Sequence, residues 1–152
     1  WNSLFQKAYD GTCDYFFQCG DDIYFKSTGW INDCIDTLQK NNNIGLTGPI
    51  NNHPTLLTQS FVSRKHMDIF GFYFPEEIRN WFCDDWINGI YIKAGKFCPL
   101  KNHTCINAGG DPRYIINDDE NFKDNYNKNI LEGKQNCEKI VNKYFDKYLV
   151  KV

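Results

Sequence analysis

The sequence predicts an α/β domain, and three observations carry that prediction. Apolar runs rich in aromatic and β-branched residues, from Tyr15 to Phe25 and from Ile44 to Pro49, read as buried strands. Between and beyond them, apolar residues recur at helical spacing: Trp30, Ile31, Cys34, Ile35 and Leu38, then Leu131, Cys137, Ile140, Val141, Tyr144, Phe145, Tyr148 and Leu149. No linker or internal repeat divides the 152 residues, which is the size of one domain.

Taken in order, Asn2 to Ala8 reads as a short helix with Leu4, Phe5 and Ala8 on one face, closed by Asp10-Gly11. The run Tyr15 to Phe25 follows, broken by Gly20-Asp21-Asp22. Ser27-Thr28-Gly29 is a helix start signal, and the helix runs from about Gly29 to Lys40. Asn41 to Asn43 end it, and we read that Asn run as compositional bias. Ile44 to Pro49 is a strand leaving into a loop punctuated by Pro54. Gln59 to Ser63 is a further strand, and His66 to Phe70 a helical turn. Pro75 suits the first position of a helix through Glu76, Glu77 and Ile78. Trp86, Ile87, Ile90 and Tyr91 mark a helix whose start carries Asp84 and Asp85, where the helix dipole favours carboxylates. Pro99 to Asn107 is extended, Gly109 to Pro112 a turn, Arg113 to Ile116 a strand, and an amphipathic helix ends the chain.

Composition excludes several classes of function. Lys plus Arg number 17 against 19 Asp plus Glu, so no net field recruits nucleic acid or anionic lipid. No apolar run approaches the ~20 residues of a membrane span. At 41% hydrophobic and 16% aromatic the chain can bury a core. The seven cysteines are odd in number and widely spaced, which argues against a disulfide scaffold or a zinc cluster. Cys98 and Cys105 could pair across a short loop; the others read as free thiols. Asn102-His103-Thr104 is a glycosylation sequon, meaningful only for a chain in the secretory pathway.

Four constellations could carry chemistry. Asp21-Asp22 stand at a strand end, where open α/β sheets place ligands. Two adjacent carboxylates repel, and a divalent cation relieves that conflict; the alternative is a solvated turn. Asp84-Asp85 lie among Trp81, Phe82 and Trp86, surroundings that raise a carboxylate's pKa and suit a general base; the alternative is a helix cap. His103 is a candidate ligand or a structural histidine. Thr58, Gln59 and Ser60, with Arg64 and His66, form a polar run that could line a substrate cleft or simply be solvated.

In order along the chain come Trp1-Asn2-Ser3-Leu4-Phe5, Gly20-Asp21-Asp22-Ile23, Gly29-Trp30, Gly45-Leu46-Thr47-Gly48-Pro49, Leu57 to Val62, and Asn80-Trp81-Phe82-Cys83-Asp84-Asp85-Trp86-Ile87. This series resembles the catalytic half of a GT-A fold glycosyltransferase, closest to family 2 and its viral and protist relatives. The resemblance covers nearly the whole chain, though each motif is short and the order is the stronger part. It implies a partial GT-A domain with a short mixed sheet flanked by helices. It also implies a metal-dependent, inverting transfer of sugar from a nucleotide-sugar donor to a hydroxyl on a glycan, protein or other acceptor, in the cytoplasm or the Golgi lumen. The family's Asp-x-Asp motif falls on Gly20-Asp21-Asp22, so Asp22, supported by Asp21, would hold Mn²⁺ or Mg²⁺. Gly20 in the first position is a departure. His103 sits where many members place a late metal-ligating histidine. The family's catalytic acidic pair matches Asp84-Asp85, with Asp85 expected as base and Asp84 as cap. Gln59, Ser60, Arg64, Trp81 and Trp86 would face donor or acceptor. Family members begin with a βαβ half that holds the nucleotide, and Trp1 falls after it, so the chain is either a piece of a longer transferase or unable to bind the nucleotide properly alone.

Two other readings compete. His66-Met67-Asp68 has a His-x-Asp pattern which, with His103 and Arg113, resembles the iron site of 2-oxoglutarate oxygenases and requires a jelly roll. The third is a non-catalytic sugar-binding remnant that kept the aromatics.

Overall fold

The computed structural model describes residues 1–51, 53, 55–78, 81–109 and 126–149. Its elements are α1 (Asn2–Asp10), β1 (Tyr15–Gln18), β2 (Ile23–Phe25), α2 (Trp30–Lys40), β3 (Leu46–Ile50), β4 (Ser60–Ser63), α3 (Lys65–Phe70), α4 (Cys83–Lys93), β5 (Phe97–Asn107) and α5 (Tyr126–Tyr148). The class is α/β, with a mixed five-stranded sheet in the order β1-β4-β3-β5-β2. β4 runs antiparallel to both its neighbours, β3 and β5 are parallel, and β2 is antiparallel to β5. Among the described residues no helix is long and apolar enough to cross a membrane.

The run Tyr15 to Phe25 is two strands, and they lie at opposite ends of the strand order. Laid flat, four strand spacings of ~4.8 Å would hold them ~19 Å apart. Their connection contains the turn at Asp21-Asp22, and the Phe17 and Phe25 rings lie 6.0 Å apart. The sheet is therefore curled, with β2 brought back toward β1. β5 makes this possible: its first half pairs with β3 and its last residues with β2, with a register shift opposite Pro49 and Ile50.

Period-two alternation sorts the side chains between two layers. Tyr15, Phe17 and Phe61 face α2, where they meet Trp30, Cys34, Ile35 and Leu38. Phe16 and Val62 face the other way, into a larger core with Phe5, Phe70, Tyr73, Trp86, Ile87, Ile90, Ile140 and Val141. α4 and α5 pack closely because glycines let them. A Cβ on Gly133 would stand 2.3 Å from the Phe82 ring, and one on Gly89 3.1 Å from Val141. Asn2 ties α1 to the aromatic turn: its Oδ1 accepts the Phe74 N–H at 2.9 Å and its Nδ2 donates to Phe74 O at 2.7 Å.

The Asn run after α2 has a conformational use the composition does not reveal. Asn42 and Asn43 take φ of 58° and 59°, a left-handed conformation that Asn tolerates better than most residues. Ser63 then donates to the Asn43 carbonyl, fixing β4 to this turn. Glu76 to Ile78 form a turn, not a helix; Glu77 instead accepts from Lys143 Nζ at 2.6 Å and from the Tyr144 hydroxyl at 3.1 Å. All seven cysteines are free, so Cys98 and Cys105, both on β5, are not paired. The strand expected at Arg113 to Ile116, the Gly110 to Pro112 part of the turn before it, Pro54 and Asn80 lie outside the described residues.

Candidate functional site

β1 and β3 run in the same direction, and β4 begins where they end, since Gln18 pairs with Ser60. This carboxyl-terminal edge is where α/β sheets place ligands. Three candidate segments reach it. Gly20-Asp21-Asp22 leave β1 there, Gln59-Ser60 enter β4 there, and the start of α4 is tied to it by Asn88. The buried Asn88 amide accepts the Leu57 N–H at 2.9 Å and donates to Leu57 O at 2.7 Å and to Asp84 O at 2.8 Å. One amide thus holds the Asp84-Asp85 end of α4 against the loop that leads into β4.

The Asp22 carboxylate lies between two glycines. A Cβ on Gly20 would come within 2.5 Å of its Oδ1, and one on Gly109 within 2.2 Å of its Oδ2. The Ala108 N–H donates to Asp22 O at 2.8 Å, closing the turn. A side chain at Gly20 would displace the carboxylate of Asp22.

The acidic pair on α4 differs from expectation. The N-cap is Phe82, in a left-handed conformation with φ of 72°, and Asp84 is the second residue of the helix. The Asp85 N–H donates to Asp84 Oδ1 at 3.0 Å. Asp84 is no cap, and its pKa is raised, not lowered, by burial first and then by the charge of Asp85. Asp84 therefore holds its proton more tightly than an ordinary exposed carboxylate does. Trp86 is 0% exposed and packs against Phe70, Phe72 and Tyr144, so it cannot meet a sugar; Trp81, 42% exposed, can.

The polar run is structural. Ser60 is buried, donates to Gln18 Oε1 at 3.3 Å and shares a hydrogen bond with the Tyr73 hydroxyl at 2.8 Å. Gln59, also buried, accepts from Asn51 at 3.3 Å and from the Cys105 thiol at 3.4 Å. Arg64 spends one guanidinium nitrogen on Tyr9 O (2.8 Å) and Cys13 O (3.3 Å), with its head 3.7 Å over the Tyr9 ring.

His103 does not join Asp21 and Asp22. It lies on β5, where Nδ1 and the Ser27 hydroxyl are 2.7 Å apart and Nε2 is 2.7 Å from Asp33 Oδ2. Both ring nitrogens are thereby engaged. Among the described residues no three His, Cys, Asp or Glu side chains converge into a cation site. The three-ligand set expected from the sequence does not form among the described residues. The iron-site reading fails on the same geometry. His66 is 1% exposed, its nitrogens 2.9 Å from the Tyr91 hydroxyl and from Tyr73 O, and burial lowers its pKa to about 4. Asp68 accepts from the Tyr9 hydroxyl at 2.9 Å. The sheet is not a jelly roll, and Arg113 lies outside the described residues.

The sequence reading missed Ser27 and Asp33. Ser27 stood inside a helix start signal and Asp33 inside a helix, and nothing local links either to His103, 76 and 70 positions away. No family model, curated protein or solved structure matches this chain.

Proposed function

We propose that the chain is the acceptor-binding part of a GT-A-like glycosyltransferase, using a nucleotide-sugar donor and an acceptor hydroxyl. One observation carries the reading: Asn88 ties the Asp84-Asp85 end of α4 to the sheet edge at which Gly20-Asp21-Asp22 leave β1. Asp84 is the base. Its raised pKa suits it to take the acceptor's proton as that oxygen bonds to the anomeric carbon and the bond to the diphosphate breaks. Asp85 orients the acceptor and keeps Asp84 basic through its charge. Trp81 offers an exposed face to a sugar. Toward Mn²⁺ or Mg²⁺ with the diphosphate, this chain would present Asp22 and Asp21 without an imidazole.

Release of nucleoside diphosphate from nucleotide sugars by the full-length protein tests the proposal. Asp84→Asn should lower turnover about 10²-fold or more, the usual scale for a lost general base. Binding of nucleoside diphosphate with Mn²⁺, followed by titration calorimetry, should survive Asp84→Asn and weaken in Asp22→Ala. Full turnover in both Asp84→Asn and Asp85→Asn would remove the pair from the mechanism. Equal nucleotide binding with and without Mn²⁺ would remove the metal.

A further inference from the structure

The corner where β2 runs into α2 holds a second constellation, independent of the acidic pair on α4. The ionised Asp33 carboxylate can only accept, so its Oδ2, 2.7 Å from His103 Nε2, sets the ring proton there and leaves Nδ1, 2.7 Å from the Ser27 hydroxyl, to accept from it. His103 is 7% exposed, and Ser27 is half-buried. The Asp33 side chain is 47% exposed, and its pKa is lowered, chiefly by the hydrogen bond from His103. A nucleophile hydrogen-bonded to a base, itself oriented by an ionised carboxylate, is the arrangement of acyl-transfer enzymes, with the two ring nitrogens exchanged. The same corner also holds the start of α2. Ser27 lies two positions before Gly29, the N-cap of α2, which offers no side-chain cap. The helix's own bonding begins with the Asp33 N–H to Gly29 O, so the N–H groups of Trp30, Ile31 and Asn32 have no partner within the helix. Nothing lies within 4 Å of where a Gly29 Cβ would stand.

We infer that Ser27, His103 and Asp33 form an esterase-type site for small, uncharged carboxylic esters. The negative charge of Asp33, across the His103 ring from the nucleophile, disfavours anionic acyl groups. Ser27 Oγ bonds to the ester carbonyl carbon while its proton passes to His103 Nδ1, and Asp33 steadies the imidazolium. The tetrahedral oxyanion collapses, the bond to the alcohol oxygen breaks, and Nδ1 returns the proton to that oxygen. Water then attacks the acyl-Ser27 ester, giving its proton to Nδ1. Collapse releases the carboxylic acid, and Nδ1 reprotonates Ser27. Ser27 and His103 are the catalytic residues and Asp33 a positioning residue.

An alkyl fluorophosphonate probe and p-nitrophenyl acetate test this on the intact protein. The probe should modify Ser27, located by peptide mass mapping, and should leave heat-denatured protein untouched. Acetate release should fall by about 10²-fold or more in Ser27→Ala and His103→Gln, each checked for folding by circular dichroism. Asp33→Asn should lower the rate and alter its pH profile, and Asp33→Glu should recover part of it. Mapping on the unaltered protein decides the matter even if a variant fails to fold. No adduct, an adduct on another residue, or a wild-type rate in folded Ser27→Ala would overturn the assignment.

Discussion

The starts of α2 and α4 have nearly the same backbone and opposite electrostatics. Each helix has 11 residues and begins from a left-handed N-cap with no side-chain cap: Gly29 with φ of 81° and Phe82 with φ of 72°. Each carries an acid in its first turn. Yet Asp33 has a lowered pKa and Asp84 a raised one. A helix dipole acts on both in the same direction, so it does not decide the outcome. The surroundings do. Asp33 is half-exposed and hydrogen-bonded by His103, whereas Asp84 is half-buried beside a like charge. The first arrangement keeps a carboxylate ionised to orient an imidazole; the second keeps one basic enough to take a proton.

The two starts are also anchored differently, and this difference has the largest expected effect. Asn88 satisfies both the N–H and the C=O of buried Leu57 from α4. Asn88→Ala leaves these groups without partners in a closed interior, at about 1–3 kcal/mol each. We expect a loss of about 3 kcal/mol or more in urea denaturation. At the α2 corner, Asn102 reaches Asp33 at 3.4 Å in an exposed position. Asn102→Ala should change stability by no more than about 0.5 kcal/mol. Similar losses in the two variants would mean that α4 is not held by this amide.

The next test sets the two acids against each other across pH. Asp33 binds its proton less tightly in the folded protein than in the unfolded chain. Its stabilisation is complete above the ordinary carboxylate range and is lost as pH falls through its lowered pKa. Asp84 runs the other way: the folded protein holds its proton more tightly, so stability is lost as pH rises through its raised pKa. At neutral pH, Asp84→Asn should match or exceed the thermal midpoint of the parent, because Asn accepts the Asp85 N–H without a buried charge. Asp33→Asn should melt earlier, and its midpoint should depend less on pH on the acid side. A lower midpoint for Asp84→Asn at neutral pH would show that its charge is compensated in the folded protein.

Much of the fold was legible, because helices announce themselves through a face that must be buried. Trp30, Cys34 and Leu38 marked α2, and Trp86, Ile87 and Ile90 marked α4. The break in the run from Tyr15 to Phe25 at Gly20-Asp21-Asp22 was legible, but where its two halves lie was not, because an apolar strand looks the same at either end of a sheet. Only the later residues that pair with it, Ser60 to Ser63 for β1 and Cys105 to Asn107 for β2, part its two halves. The carboxylates on α4 were legible as a pair but their roles were not. Phe82 at the cap moved the helix start earlier than the expected Asp84, and a left-handed phenylalanine has no sequence signal. The Ser27, His103 and Asp33 corner was illegible because it joins a loop, a strand and a helix.

A smaller effect separates the two caps themselves. A left-handed conformation costs a residue with a Cβ roughly 1–2 kcal/mol. Gly29 avoids that cost, and Phe82 bears it. What holds Phe82 in place is its ring, which occupies the space a side chain at position 133 would need, with the Cε2 atom 2.3 Å from where a Gly133 Cβ would stand. Gly29→Ala meets no atom within 4 Å, so it carries backbone strain and nothing else. Its loss in urea denaturation should be about 1 kcal/mol. Phe82→Ala keeps the strain and removes the packing against α5, so its loss should be the larger of the two. Gly133→Ala forces the ring away and should cost about 1–3 kcal/mol. If Gly29→Ala cost more than either Phe82→Ala or Gly133→Ala, strain alone could not account for it, and the start of α2 would be the more tightly constrained of the two.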